Sequence, residues 1–281
     1  MENVTFPSNG LELAGHLHRP QGTPRGAIVV GHPGTGVKEQ TAGLYARQLA
    51  EQGFLALAFD AAYQGESAGL PRGLEDPFQR VEDIRAAVTF LAEEDERIGV
   101  LGICASGGYG LAAAGTDHRI KAIATVSLAD IARQFRFGAD GTQDPAVLQG
   151  MLDQGRDGSF ALFPETADET DGLHAYEGWE YYCTPRGEHT RSAKTLTWSS
   201  VGRIAAFDAF RAVDLIAPRP LLLVAGRAAV TSWMSVEAYQ KAGRSKEFHW
   251  VDGATHVDLY DRYVPQVVER VSEFFAKNLW S

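Results

Sequence analysis

One stretch decides the fold that we predict: Ile98-Gly99-Val100-Leu101-Gly102-Ile103-Cys104-Ala105-Ser106-Gly107-Gly108. Its first half is short and apolar, as in a buried strand, and its second half is rich in small residues, as at the start of a closely packed helix. A sharp strand-to-helix turn of the form Gly-x-Nuc-x-Gly holds the residue at its tip in a strained backbone conformation. The stretch therefore predicts a strand, a tight turn and a helix, with a candidate nucleophile at the turn.

Apolar runs of strand length alternate with helical patterns along most of the chain. The predicted strands are 27–30, 54–59, 97–103, 120–127, 220–225 and 248–251, and the clearest helices are 76–95 and 264–279. Continuous apolar strands between helices are typical of a parallel sheet covered on both faces. In front of them, Asn9-Gly10 is a tight-turn signal between two short strands, 4–6 and 11–18. We therefore predict an α/β fold, with a mostly parallel doubly wound sheet and an N-terminal antiparallel hairpin.

One segment, residues 129–210, does not follow this alternation. It is rich in Gly, Asp and aromatic residues, and it separates two predicted core strands. So long an excursion is commonly a lid or a substrate-binding cap. The other interpretation is an extra structural lobe whose aromatic side chains fill a small core of their own. We expect an inserted cap at 129–210, with residues 1–128 and 211–281 forming the core domain.

Composition excludes several classes of function. The chain has 26 Lys and Arg against 36 Asp and Glu, a formal net charge of −10, so neither nucleic acid nor an anionic membrane is an expected partner. No Cys/His spacing fits a zinc site, and we expect neither a metal nor another cofactor. The first residues lack the profile of a signal peptide, and no apolar run approaches the roughly 20 residues of a membrane helix, which indicates a cytoplasmic protein. A homodimer is left open.

Two registers of the turn are possible. With Cys104 as the nucleophile, the flanking small residues are Gly102 and Ser106; with Ser106, they are Cys104 and Gly108. Because Gly102 follows the strand at once, we expect the sharp turn at Cys104. A thiol at a helix N-terminus is also well supported, since the partial positive charge there favours a strongly nucleophilic thiolate. We favour Cys104, and keep Ser106 as the alternative nucleophile and as a candidate substrate-binding residue.

A nucleophile of this kind needs a base and an oxyanion hole. His256 follows the last predicted strand, in the loop before the closing helix, and is the candidate base. The N–H of Ala105, just after the nucleophile, is one expected oxyanion donor. The turn after the first parallel strand supplies the other. Since Pro33 has no N–H, Gly34 is the first choice there and Thr35 the second.

These residues together resemble the α/β-hydrolase superfamily. Within it, the chain is most similar to the dienelactone hydrolase-like branch, which uses a Cys-Asp-His triad, and to bacterial hydrolases related to fungal polyketide transferases. The resemblance covers nearly the whole chain outside 129–210. Besides the turn at Cys104, it rests on the blocks Gly31-His32-Pro33, Val37-Lys38-Glu39-Gln40-Thr41, Asp60-Ala61-Ala62-Tyr63-Gln64-Gly65-Glu66-Ser67 and Gly253-Ala254-Thr255-His256.

The acid of the family's triad is missing where the resemblance places it. The turn after the strand at 220–225 contains no Asp or Glu between Gly226 and Met234. Three explanations stay open. The acid has moved to Asp130, after the preceding strand; or the Cys–His pair works without an acid; or the acid was lost by substitution, for example at Ala228 or Val230. The alternative role for Asp130 is a helix N-cap.

The sequence thus predicts hydrolysis of an ester or thioester of a small-molecule acyl substrate, with Cys104 as nucleophile and His256 as base. Acyl transfer to another nucleophile, or cyclising release of a polyketide-like chain, is a second hypothesis that the resemblance motivates. A third is a ligand-binding protein without turnover, motivated by the missing acid. Among further residues, Tyr63 is expected to line the pocket, whereas Glu75 and Asp76 are interpreted as a solvated helix start.

Overall fold

The computed structural model describes residues 1–168, 170 and 172–279 of the chain. Within these residues the strands are β1 (Glu2–Ser8), β2 (Leu11–His18), β3 (Ala27–Gly31), β4 (Leu55–Phe59), β5 (Ile98–Ile103), β6 (Ile120–Val126), β7 (Ser159–Ala161), β8 (Thr195–Thr197), β9 (Leu221–Gly226) and β10 (Lys246–Val251). The helices are α1 (Thr41–Glu51), α2 (Pro77–Ala92), α3 (Ala105–Thr116), α4 (Ile131–Phe137), α5 (Pro145–Asp153), α6 (Leu173–Cys183), α7 (Trp198–Ala205), α8 (Ser232–Lys241) and α9 (Val264–Leu279). Short 3₁₀ helices at Val213–Ile216 and Val257–Tyr260 precede β9 and α9.

Most of the strands belong to one mixed sheet. Eight of the described strands form it, in the order β1-β2-β4-β3-β5-β6-β9-β10. Strand β2 pairs antiparallel with β1 on one side and with β4 on the other. From β4 to β10 the neighbouring strands are parallel. The prediction of a mostly parallel sheet with an N-terminal antiparallel hairpin is therefore confirmed.

The parallel strands are buried on both faces of the sheet. In β3, Ala27 and Val29 belong to one core cluster, while Ile28 and Val30 belong to the other. Helices α2 and α3 pack on the first face, and α1 and α9 pack on the second. Because successive side chains of a strand point to opposite faces, a strand covered on both sides is apolar throughout. This arrangement explains why the sequence shows continuous apolar runs in these strands instead of alternating apolar and polar residues.

The segment between β6 and β9 contains α4 to α7 and a small antiparallel pair, β7 with β8. Its C-terminal half is bonded to the core: Ser192 Oγ donates to the carbonyl of Thr35 at 2.8 Å, and Gln40 Nε2 donates to the carbonyl of Gly187 at 2.6 Å. Helix α5 in its N-terminal half, in contrast, buries none of its residues. The segment stands where the sequence predicts an inserted cap, and its role as a lid stays a prediction.

The described helices have ordinary lengths for a globular domain. Helices α2 and α9 reach 16 residues each, which is about four turns. None of the described helices is both long enough and apolar enough to cross a membrane.

Candidate active site

The turn between β5 and α3 has the strained geometry expected of a nucleophile elbow. Cys104 lies at the N-cap of α3 with φ 54° and ψ −120°, in a region that L-residues rarely adopt. A Cβ atom on Gly102 would lie 2.2 Å from the carbonyl oxygen of Ser106, so this position accepts only glycine without a backbone shift. The sharp turn therefore lies at Cys104, and the packing around it requires the small residues that the sequence places there.

Ser106, the alternative nucleophile, is turned away from the cavity. Its side chain is 2% exposed, and its Oγ donates to the carbonyl of His32 at 2.5 Å. The same oxygen accepts from Arg80 Nη2 at 3.1 Å. Among the described residues that line the main cavity, Cys104 is present and Ser106 is not. The geometry favours the Cys104 register, and it gives Ser106 a structural role beneath the turn.

The Cys104 sulfur has two backbone donors and one hydroxyl beside it. The N–H groups of Gly34 and Ala105 donate to it, and the Tyr260 hydroxyl shares a hydrogen bond with it. Because that hydroxyl has a single proton, it accepts from the S–H group when it donates to His256. Burial raises the pKa of the thiol, and these donors offset only part of that effect because they favour the charged form. The resting thiol is therefore protonated at neutral pH. These two N–H groups are the ones that the sequence predicts as oxyanion donors.

His256 is fully enclosed and is joined to the thiol through a tyrosine. Its side chain is 1% exposed, and burial holds the pKa of the imidazole well below its usual value, so the ring is neutral. Its Nε2 atom lies 3.0 Å from Tyr260 Oη, the same hydroxyl that bonds to the Cys104 sulfur. A continuous chain of hydrogen bonds therefore runs from sulfur to hydroxyl to imidazole. The hydroxyl of Tyr182 also bonds to Tyr260.

The other nitrogen of His256 meets a hydroxyl in the place of a triad acid. Thr231 Oγ1 lies 2.5 Å from His256 Nδ1 and is buried, just before α8 begins. A hydroxyl can accept the Nδ1 proton and so fix the tautomer in which Nε2 is a proton acceptor. Unlike a carboxylate, it carries no negative charge to stabilise an imidazolium. The search for a carboxylate in the sequence missed Thr231, although it lies in the turn where the acid was sought.

Asp130 does not reach His256 in the described structure. Its Oδ1 accepts from the backbone N–H of Ala132 at 2.9 Å, as an N-cap of α4 does. Its Oδ2 accepts from the backbone N–H of Ala209 at 3.1 Å and pairs with the Arg133 guanidinium. These bonds give Asp130 the capping role that the sequence left as its alternative. The hydrogen bonds of Asp130 in the described structure do not include His256, so the role of triad acid stays a prediction with no contact to support it.

The remaining predicted residues are distributed unevenly around the site. Gly34 and Ala105 line the cavity beside Cys104, as expected for oxyanion donors. Thr35 and Tyr63 are absent from its described lining; both have positive φ, 56° and 69°, and belong to tight turns behind it. Of the three positions that were candidates for a lost acid, 228–230, only Val230 is among the described residues that line the cavity.

The cavity above Cys104 has a volume of about 630 Å³, within the range of small-molecule sites. Its walls are mainly apolar and come largely from the segment between β6 and β9: Ile131, Phe135, Leu162, Phe163, Tyr182 and Leu196. His174 on α6 also lines it, with its ring centroid 4.9 Å from that of His256. Burial lowers the pKa of His174 to about 4, so this second ring is neutral as well. The described residues hold no cluster of three or more His, Cys, Asp or Glu suited to a metal ion.

Comparisons with known proteins show which family the chain resembles. The model of the dienelactone hydrolase family matches residues 13–127. The uncharacterized protein YcjY of Escherichia coli is 41% identical over 271 residues, which is 90% of this chain and 89% of that protein. The crystal structure of the hypothetical protein PA2218 from Pseudomonas aeruginosa superimposes with a TM-score of 0.88 at 34% identity, over 99% of this chain and 93% of that one. The polyketide transferase af380 of Aspergillus fumigatus is 28% identical over 298 residues, 99% of this chain and 98% of its own.

Proposed function

Because the chain belongs to the dienelactone hydrolase family of α/β-hydrolases, we propose that it cleaves an ester or thioester through an acyl-enzyme on Cys104. The observation that carries the proposal is the position of the sulfur. It sits on a strained turn, at the floor of an apolar cavity, between the N–H groups of Gly34 and Ala105. These are the components that acyl transfer needs: a nucleophile in a fixed position, donors for the oxyanion and an apolar acyl pocket.

Attack on the carbonyl requires that the thiol lose its proton in the same step, since burial keeps it protonated at rest. The proton passes from the Cys104 sulfur to Tyr260 Oη while the Tyr260 proton passes to His256 Nε2. One S–H and one O–H bond break, and one O–H and one N–H bond form, so Tyr260 ends neutral. Tyr260 is then a catalytic residue, because its hydroxyl touches the reacting sulfur.

The tetrahedral intermediate places its negative oxygen at the N–H groups of Gly34 and Ala105. Collapse of the intermediate breaks the bond to the alcohol or thiol, which receives the proton held on His256. Water then attacks the thioester on Cys104 and gives a proton to the same histidine. The C–S bond breaks, the acid is released, and the proton on His256 returns through Tyr260 to the Cys104 sulfur. Thr231 orients His256 throughout without neutralising it, so each proton transfer costs more than it would beside a carboxylate.

Active-site labelling tests the nucleophile. The protein is treated with iodoacetamide and, separately, with a fluorophosphonate, and peptide mass spectrometry locates the adducts between Gly102 and Gly108. We expect alkylation of Cys104 that depends on removal of the thiol proton and is therefore slowed by His256→Ala, and a p-nitrophenyl ester should leave a transient acyl group on the same residue. Ser106→Ala is the matched control and should keep the adduct. A fluorophosphonate adduct on Ser106 would overturn the assignment, and absence of any adduct would favour ligand binding without turnover.

A second activity, acyl transfer to a nucleophile other than water, is favoured by one observation. The chain matches a polyketide transferase over 99% of its own length, which includes the segment that walls the cavity. Product analysis in ¹⁸O-water separates the two activities. Hydrolysis incorporates one ¹⁸O atom into the released acid, whereas transfer or cyclisation gives an ester or lactone without the label.

A further inference from the structure

Glu75 is a buried carboxylate on the cavity wall with one oxygen unused. The sequence suggested a solvated helix start, but the Glu75 side chain is only 1% exposed, and the residue lines the same cavity as Cys104. Its Oε1 accepts from the hydroxyl of Tyr109 at 2.7 Å. Its Oε2 is buried and has no hydrogen-bond partner. A buried carboxylate oxygen without a partner carries a large desolvation cost, so a group that donates to it is expected in the working state.

The neighbouring arginine cannot supply that donor. Arg80 Nε lies 3.4 Å from Glu75 Oε1, which makes the two an ion pair. Its other nitrogens are engaged with His32: Nη1 bonds to the Nε2 atom and Nη2 to the carbonyl, both at 2.9 Å. Arg80 therefore compensates the charge of Glu75 while leaving the Oε2 atom free.

This arrangement favours a neutral donor over a charged one. Since Arg80 already balances Glu75, an ammonium group entering the cavity would add an uncompensated buried charge. A carboxylate on the substrate would face the free Oε2 atom with like charge. The described lining residues include two acids, Glu75 and the rim residue Asp140, and no Lys or Arg that would bind such an anion. A hydroxyl group both donates to Oε2 and remains neutral.

We propose that the acyl group taken by this site carries a hydroxyl that donates to Glu75 Oε2 once the carboxylate rotates toward the cavity, so that the substrate class is hydroxyacyl esters or thioesters. This inference rests on the proposed function, because it places the acyl chain in the cavity above Cys104. The apolar wall accommodates the rest of the chain, and the Glu75 carboxylate selects for one polar group on it. Glu75 is thus a specificity-determining residue.

Substrate pairs test the proposal. Thioesters of a six-carbon acid with a hydroxyl at C2, C3, C4 or C5 are compared with the unsubstituted thioester, and the same positions are tested as amino and carboxyl derivatives. For at least one position we expect a hydroxyl to raise kcat/KM roughly tenfold or more, since hydrogen bonds to charged groups are the stronger class. The amino and carboxyl derivatives should be poorer than the unsubstituted compound. Equal kcat/KM values for all hydroxyl positions and the unsubstituted thioester would overturn the proposal.

Two variants locate the effect. Glu75→Gln replaces the carboxylate by a neutral amide and should reduce the hydroxyl preference severalfold, because hydrogen bonds to a charged group are the stronger class. Tyr109→Phe is the control: it removes the bond to Oε1 but leaves Oε2 in place, and the preference should persist. If Glu75→Gln does not fold, the substrate comparison with the unaltered protein is the deciding test. An undiminished preference in folded Glu75→Gln protein would contradict the assignment.

Failure of the proposed function can be told apart from failure of this inference. Cys104→Ala protein is titrated by calorimetry with a hydroxylated acyl amide and its deoxy analogue, which need no turnover. Tighter binding of the hydroxylated amide, with no acyl-enzyme in the unaltered protein, would support the hydroxyl site and contradict the proposed hydrolase activity. Equal binding of the two amides, together with normal acyl-enzyme formation, would support the hydrolase activity and contradict the role of Glu75.

Discussion

Replacing Thr231 by aspartate should speed acyl-enzyme formation. Thr231 Oγ1 lies 2.5 Å from His256 Nδ1, and burial holds the pKa of that imidazole well below its usual value. The hydroxyl orients the ring but does not offset the positive charge that it gains with the thiol proton. A hydrogen bond with a charged partner contributes about 1.5–3 kcal/mol, against about 0.5–1.5 kcal/mol for a neutral one. The difference of about 1–2 kcal/mol predicts a rise of roughly tenfold in kcat/KM.

The pH profile gives this prediction a second, independent readout. The base must be neutral to accept a proton, so the rate falls as pH drops through its pKa. In the unaltered protein the pKa of His256 is well below 6.5, so the acid limb of the pH–rate profile should lie at correspondingly low pH. An aspartate beside Nδ1 favours the imidazolium and raises the pKa, so Thr231→Asp should be faster at neutral pH but lose activity at a higher pH than the parent does.

Stopped-flow acylation with a p-nitrophenyl ester from pH 4 to 9 measures both effects. Thr231→Asn, with the same shape as aspartate and no charge, is the matched control and should be slower than the parent, since its amide can donate to Nδ1 and fix the wrong tautomer. If folded Thr231→Asp were no faster than Thr231→Asn, the charge argument would be refuted. A gain in Val230→Asp alone would put the acid one residue earlier and overturn our interpretation of the Thr231 contact.

Three other perturbations have defined outcomes. Tyr260→Phe should slow alkylation of the active-site thiol and make its rate independent of His256, which a double-mutant cycle measures. Tyr181→Phe is the control, because the Tyr181 hydroxyl bonds elsewhere in the same aromatic cluster, and it should change neither the alkylation rate nor its dependence on His256. Gly102→Ala should lower the free energy of unfolding by about 1–3 kcal/mol, as measured by urea titration, because the new Cβ atom would overlap a backbone carbonyl oxygen. Gly150→Ala on α5 is the control: there is open space around this position, so the substitution should be neutral or stabilising. The half-buried ring of His174 has its pKa lowered to about 4, so the unfolded chain binds more protons than the folded one between pH 6.5 and 4. Stability should therefore fall as the pH drops through this range, and His174→Asn should remove up to about 3 kcal/mol of that loss at pH 4. Identical pH dependence of the denaturation curves for parent and variant would contradict this.

The predictable part of this molecule is the part that local pattern controls. The apolar runs at β3, β5 and β9 are continuous because each strand is covered on both faces, a condition that favours an apolar or small residue at every position of the run. The elbow is equally local, since the strain at Cys104 forces small residues nearby. Those features could be read from sequence, and the structure has them where they were expected.

The polar residues that surround Cys104 and His256 have no recognisable local pattern in the sequence. Thr231 looks like any turn residue, and its importance depends on His256, which is 25 positions away in the chain. Tyr260 reads as a core aromatic in a 3₁₀ helix, although its hydroxyl lies between sulfur and imidazole. Glu75 precedes a helix, where acids are normally solvated, yet it is buried, and its backbone N–H donates to Ser200, which is 125 positions away in the chain. Contacts between such distant positions are set by the tertiary fold.

The segment between β6 and β9 is attached unevenly to the core. Its C-terminal half is bonded through Gly187 and Ser192 to the loops that hold Gln40 and Thr35, while none of the residues of α5 is buried. Changing an exposed helix forfeits little apolar burial, so α5 is the part of this segment that should tolerate redesign best. Because no residue of α5 is among the described residues that line the cavity, an engineer can shorten or replace this helix and leave the cavity wall as it is.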